Sequence, residues 1–92
     1  MVRTLETLAL GTPVYCGETR VGEVHGLYAE GVARGVEWVI VGWVSRGDIA
    51  VPAVEVASID DAGVSLIQEN PEAYAELPSF SEARFPTVHR LA

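Results

Sequence analysis

Apolar residues come along this chain in short runs, each closed by glycine-bearing punctuation. The runs fall at residues 14–16, 21–28, 36–44, 49–51, 56–59 and 64–68, and valine dominates them. Runs this short that are rich in β-branched residues predict strands rather than helices. Between them lie turn sequences: Gly17-Glu18-Thr19, the glycine-bounded loop 30–35, Ser45-Arg46-Gly47 and Asp60-Asp61-Ala62-Gly63. The last has hairpin chemistry, with Asp favouring a type I turn and Gly taking positive φ. Gly22 and Gly26 inside one strand predict a bulge or bend. The run 36–44, with Val39, Ile40 and Val41 at its centre, is apolar on both faces. It should be central, or curled so that each face meets a core. Pro52 has no N–H to give a ladder, so the fourth strand ends there or lies at an edge.

Past Gly63 the pattern changes. No glycine follows, and three of the five prolines do: Pro71, Pro78 and Pro86. Residues 70–77 predict a two-turn helix, with Asn70 as N-cap, Pro71 in the first turn and Pro78 as the stop. The remainder predicts an extended arm. Its apolar residues Tyr74, Leu77, Phe80, Phe85, Val88 and Leu91 are anchors that a solvated tail would not need. The arm packs on its own barrel, packs on a second subunit or partner, or is disordered. The expected organisation is a β domain over residues 1–68 and a helix-plus-arm over 69–92.

Composition sharpens this picture. At 92 residues there is room for one small domain, and 49 % hydrophobic residues is enough for a core and excludes wholesale disorder. Six bases, all arginine, face thirteen acids, for a net charge of −7. From Asp48 to Glu82 there are eight acids and no base. Phosphate recognition wants the opposite sign, so nucleic acid is excluded as an expected partner, and anionic membrane surfaces are disfavoured. A basic protein surface would be steered to the acidic half. The longest apolar run is residues 38–44, far short of the roughly 20 residues of a spanning helix. Residues 1–10 lack a signal-peptide pattern, because Arg3 and Glu6 interrupt them. Cys16 is alone and can form no internal disulfide. The expectation is a soluble, cytoplasmic protein.

No catalytic constellation emerges. Cys16 with His25 or His89 would need a base in reach and an orienting group, and a lone Cys is more often a small buried hydrophobe. Metal sites favour closely spaced Cys/His pairs, which are missing. Asp60 and Asp61 suit a turn better than acid–base work, and the glycines precede no GK[ST] phosphate loop. No cofactor is expected. Trp38 and Trp43, five apart, point to opposite faces of a regular strand. One belongs to a core, and the other is exposed or covered by the arm.

Several of these residues together resemble a PRC-barrel domain. They are Gly17, Gly22-Glu23-Val24, the strand 36–44, Val51-Pro52 with Val56 and Ile59, and the hairpin 60–63 leading into Val64-Ser65-Leu66. The most specific piece is Val51-Pro52-x-x-x-Val56-x-x-Ile59 before an acidic glycine hairpin, and the resemblance covers roughly residues 5–68. That family includes the cytoplasmic domain of the photosynthetic reaction-centre H subunit and the C-terminal domain of a ribosome maturation factor. The resemblance implies an all-β fold, a barrel of about six strands, with no enzymatic site, acting in assembly and docking.

The expected function is therefore a non-enzymatic protein-interaction module that self-associates, as a homodimer, or docks on a larger complex. The partner-binding candidates are Trp38, Trp43, Tyr74, Leu77, Phe80 and Phe85. The competing expectation is a regulatory protein that binds a small ligand or ion in a barrel mouth. A ligand-driven rise in melting temperature without a change of mass would favour that second reading.

Overall fold

The computed structural model describes residues 8–31, 35–81, 85 and 88–91. The start of the expected β domain, part of the loop 30–35 and parts of the arm lie outside the described residues. Among the described residues seven strands form one sheet: β1 (Pro13–Cys16), β2 (Thr19–Glu30), β3 (Trp38–Trp43), β4 (Gly47–Pro52), β5 (Val56–Asp60), β6 (Gly63–Leu66) and β7 (Val88–Arg90). Their order is β4-β3-β2-β1-β6-β5, with β7 off this path on β2. The first six correspond to the six apolar runs, and β7 is additional. All pairs are antiparallel except β1 with β6.

The twelve-residue β2 organises the sheet. One of its sides pairs with β3 from Gly22 to Tyr28. The other side is shared, with β1 taking Thr19 to Glu23 and β7 taking Tyr28 to Glu30. A bulge between Val24 and Gly26 makes His25 the extra residue against β3. This is the irregularity that the glycines predict, and bulges bend and twist a strand. The curl lets one face of the sheet close over itself.

That inner face carries the main core. It includes Val14, Cys16, Val24, Leu27, Val39, Val41, Trp43, Ile49, Val51 and Val64. The alternate residues of the same strands, Tyr28, Ile40 and Ala50, form a second cluster on the opposite face. The double-sided apolar character of β3 thus has a structural counterpart: each face meets its own core.

Two expectations need correction. The sheet is not a closed barrel, because β4 and β5, the ends of the path, do not pair. The reason is a contact between segments distant in sequence. The outer edge of β4 is already bonded to residues 78–80, through Ala50 N–H to Pro78 O (3.1 Å), Phe80 N–H to Asp48 O (2.9 Å) and an Ile49–Ser79 bridge. A short 3-10 turn (Ala53–Glu55) then turns the chain between β4 and β5.

The two-turn helix is also absent. Asn70 caps as expected, its Oδ1 accepting from Glu72 N–H at 3.0 Å, but only a 3-10 turn (Pro71–Tyr74) follows. The N–H groups bond three residues back rather than four: Ala73 to Asn70 O (3.0 Å), Ala75 to Glu72 O (3.1 Å) and Leu77 to Tyr74 O (3.1 Å). Arg46 holds this tighter turn, with Nη1 bonded to Tyr74 O and Nη2 to Leu77 O, both at 2.8 Å. Two turns are too few for helical cooperativity to overrule such tertiary bonds.

Close backbone approach explains two glycines. A Cβ on Gly22 would strike the Gly42 carbonyl, and one on Gly42 would strike the His25 ring. Backbone cannot easily retreat, whereas an exposed imidazole can swing away. We therefore predict that Gly22→Ala destabilises by about 2–3 kcal/mol and Gly42→Ala by about 1 kcal/mol. Urea midpoints check this, and equal losses would contradict the difference.

Candidate interaction surface

The six apolar candidates separate into two groups. Trp43, Tyr74 and Leu77 join the main core, with Trp43 and Tyr74 edge to face at 6.1 Å between centroids. The Tyr74 hydroxyl donates to Glu55 Oε1 and accepts from Gln68 N–H, both at 3.0 Å. Burial pushes its pKa above the ordinary 10.0, and Glu55 adds to the rise, so the phenol stays neutral and keeps its proton to donate.

Trp38, Phe80 and Phe85 lie with the second cluster. Phe80 sits 4.6 Å from the Tyr28 ring and stacks on Phe85 at 5.5 Å, and Phe85 meets Trp38 at 5.7 Å. Trp38 Nε1 donates to Glu30 Oε2 at 3.4 Å. The two tryptophans thus occupy opposite faces, as their spacing requires. Trp43 is in the core, and Trp38 is half-buried under the arm.

The arm is held to the sheet at two places. Residues 78–80 bond to the β4 edge, and β7 bonds to the far end of β2, where Arg90 lies 5.9 Å from the Tyr28 ring centroid. It therefore straps the outer face of β2, β3 and β4 and supplies the aromatic rings that cover Ile40. Of the described anchors, Tyr74, Leu77, Phe80, Phe85 and Val88 pack on their own chain, while Leu91 is 42 % exposed.

One polar cluster lies between these two attachments. His25, the bulge residue of β2, places its ring over Gly42. A carboxylate only accepts, so Nδ1 carries the proton that bonds to Asp48 Oδ1 at 2.7 Å. Nε2 faces Glu23 Oε1 at 3.5 Å. Each acid takes a different ring nitrogen, so the three groups do not converge on a common point. Among the described residues, no group of three or more His, Cys, Asp or Glu is placed to hold a metal. The strap touches this cluster on both sides: Phe80 N–H bonds to Asp48 O, and Arg90 Nη2 bonds to His25 O at 3.2 Å.

Cys16 lies wholly within the main core, and burial pushes its thiol above 9.0, the opposite of an activated thiolate. His25 is exposed and engaged by its two acids, so no thiol–imidazole pair involving it is assembled. The described residues form no pocket, and no helix among them is long and apolar enough to cross a membrane.

At the other end of the sheet, β5 is bonded to β6. Among the described residues no strand pairs with its second edge. Ala57 and Ser58 on this strand are exposed. Val54 just before it is 79 % exposed, and Ile67, whose N–H bonds to Glu55 O, is 51 % exposed. These residues were not among the sequence candidates. Pro52 signalled an edge at β4, but which edge the arm would cover was not written locally.

The chain matches no protein-family model, no curated protein and no solved structure.

The His25 cluster yields a pH prediction. The Asp48 hydrogen bond raises the His25 pKa above 6.5, slight burial opposes this, and Glu23 adds to the rise. A raised folded pKa stabilises the fold fully below 6.5, and that contribution fades as pH climbs through the folded value. The groups are over 40 % exposed, so solvent screens the effect. The His25 titration midpoint, read by NMR, should fall in Asp48→Asn. The stability lost in His25→Asn should be larger at about pH 5 than at about pH 8. An unchanged midpoint would contradict the assignment.

Proposed function

We propose that this chain is a non-enzymatic protein-interaction module of the PRC-barrel type, working in the cytoplasm, that docks on another protein or on a second copy of itself. One observation carries the reading: of the two ends of the sheet, β4 is sealed by residues 78–80, while β5 has no strand partner among the described residues. An open edge offers a row of backbone donors and acceptors, which is a template for strand addition. The resemblance in residues 51–66 to domains that act in assembly supports the same role. The lone Cys16 suits a reducing compartment. The aromatic candidates Trp38, Phe80 and Phe85 serve this role indirectly, by fixing the strap that seals β4 and leaves β5 as the available edge.

The test is site-specific photo-crosslinking in the source cells. A benzoyl-phenylalanine in place of Ala57 should give a discrete adduct, and mass spectrometry tells a second copy from another protein. The same group in place of the exposed Val44, in the β3–β4 turn, should give none. No adduct from position 57, or the same products from both positions, would contradict docking through β5.

A further inference from the structure

Resting on that docking reading, we propose that the β5 edge takes an extended segment of another protein that carries arginine or lysine, added as an extra strand. The edge has few defences. β5 reads Val56-Ala57-Ser58-Ile59-Asp60 and holds no Lys, Arg or Pro, the residues that usually protect a bare edge. One protective feature is present, a bulge between Val56 and Ser58, which leaves the segment from Ser58 to Asp60 in regular register with β6.

The apolar shoulder is at the start of the strand. Val54, just ahead of β5, is 79 % exposed. An added strand would cover it with apolar side chains of its own.

Charge selects the occupant. β5 lies inside the stretch from Asp48 to Glu82, which has eight acids and no base. Asp60 and Asp61 stand at one end of the strand and Glu55 at the other. Glu69, Glu72 and Glu76 are exposed on the segment that follows β6, where Arg46 reaches in to bond to Tyr74 O and Leu77 O. A second copy would bring the same acids. In an antiparallel self-pairing centred on Ser58, Glu55 would stand opposite Asp61 of the other copy, acid against acid. Like charges directly opposite destabilise a strand pair, whereas opposite charges steer and hold one. A basic strand meets both requirements of the edge.

The experiment uses the full chain and a short synthetic peptide alternating arginine and valine, with a glutamate–valine peptide as counterpart. Fluorescence anisotropy gives the affinities, and amide shifts in a 15N spectrum give the location. The arginine peptide should bind at least about ten-fold more tightly than the glutamate peptide and weaken as salt rises. Amide changes should centre on residues 55–60. Ala57→Lys, at an exposed position, should weaken binding by about ten-fold. Glu72→Gln with Glu76→Gln, which leaves the sheet untouched, should weaken it by about two- to three-fold.

Equal binding of the two peptides at β5 would overturn the choice of a basic partner and leave the docking reading intact. Shifts centred elsewhere, or binding undiminished in Ala57→Lys, would remove β5 as the site. Binding of neither peptide, with a concentration-dependent dimer that Ala57→Lys abolishes, would make a second copy the occupant. Neither binding nor a dimer would bring down the docking reading together with this inference.

Discussion

β3 is apolar on both sides, and one curled sheet can bury only one of them. Val39, Val41 and Trp43 reach the inner core, while Trp38 and Ile40 are left on the outer face. Water contact at those side chains would be costly, at roughly 25 cal/mol per Å² of apolar surface. The chain solves this by bringing its own C-terminal arm back across the sheet. Phe80 and Phe85 stack over the outer face, residues 78–80 bond to β4, and β7 bonds to β2. The rest follows. A β4 edge bonded to the arm cannot also accept β5, so the sheet stays open, and β5 has no second strand partner among the described residues.

What was legible in the sequence tracks what is local. The first six strands stand out because valine runs alternate with glycine turns. The hairpin at residues 60–63 forms as its chemistry predicts: Asp60 Oδ1 accepts from Ala62 N–H at 2.8 Å and Gly63 N–H at 3.2 Å, and Gly63 has φ +137°. The opposite directions of Trp38 and Trp43 follow from strand period alone. What failed depended on distant partners. The helix at 70–77 has a sound cap and stop, but Arg46, distant in sequence, bonds to Tyr74 O and Leu77 O and holds a 3-10 turn instead. β7 is three residues long, too short to carry a periodic signal, and exists because β2 extends past β1.

The candidate surface shows the same division. The apolar anchors were visible as residues, yet their separation into an inner and an outer group depends on where the arm turns. The His25–Asp48 contact spans 23 residues and arises from a bulge that no local motif specifies. Val54 lies outside every apolar run and carries no signal of its own. Only the fold shows that it stands just ahead of a strand whose second edge has no described strand partner. The functional reading rests on that edge and on the sign of the charge around it, together with the resemblance in residues 51–66.

The central claim is that the arm is structural cover for the second face of β3. Truncation after Leu77 tests it most directly, because it keeps the Arg46 and Tyr74 contacts and removes only the strap. The truncated chain should unfold at a clearly lower urea concentration, with a loss of about 3 kcal/mol or more, and should bind an apolar dye such as ANS in its folded state. An unchanged unfolding midpoint with no dye binding would contradict the account.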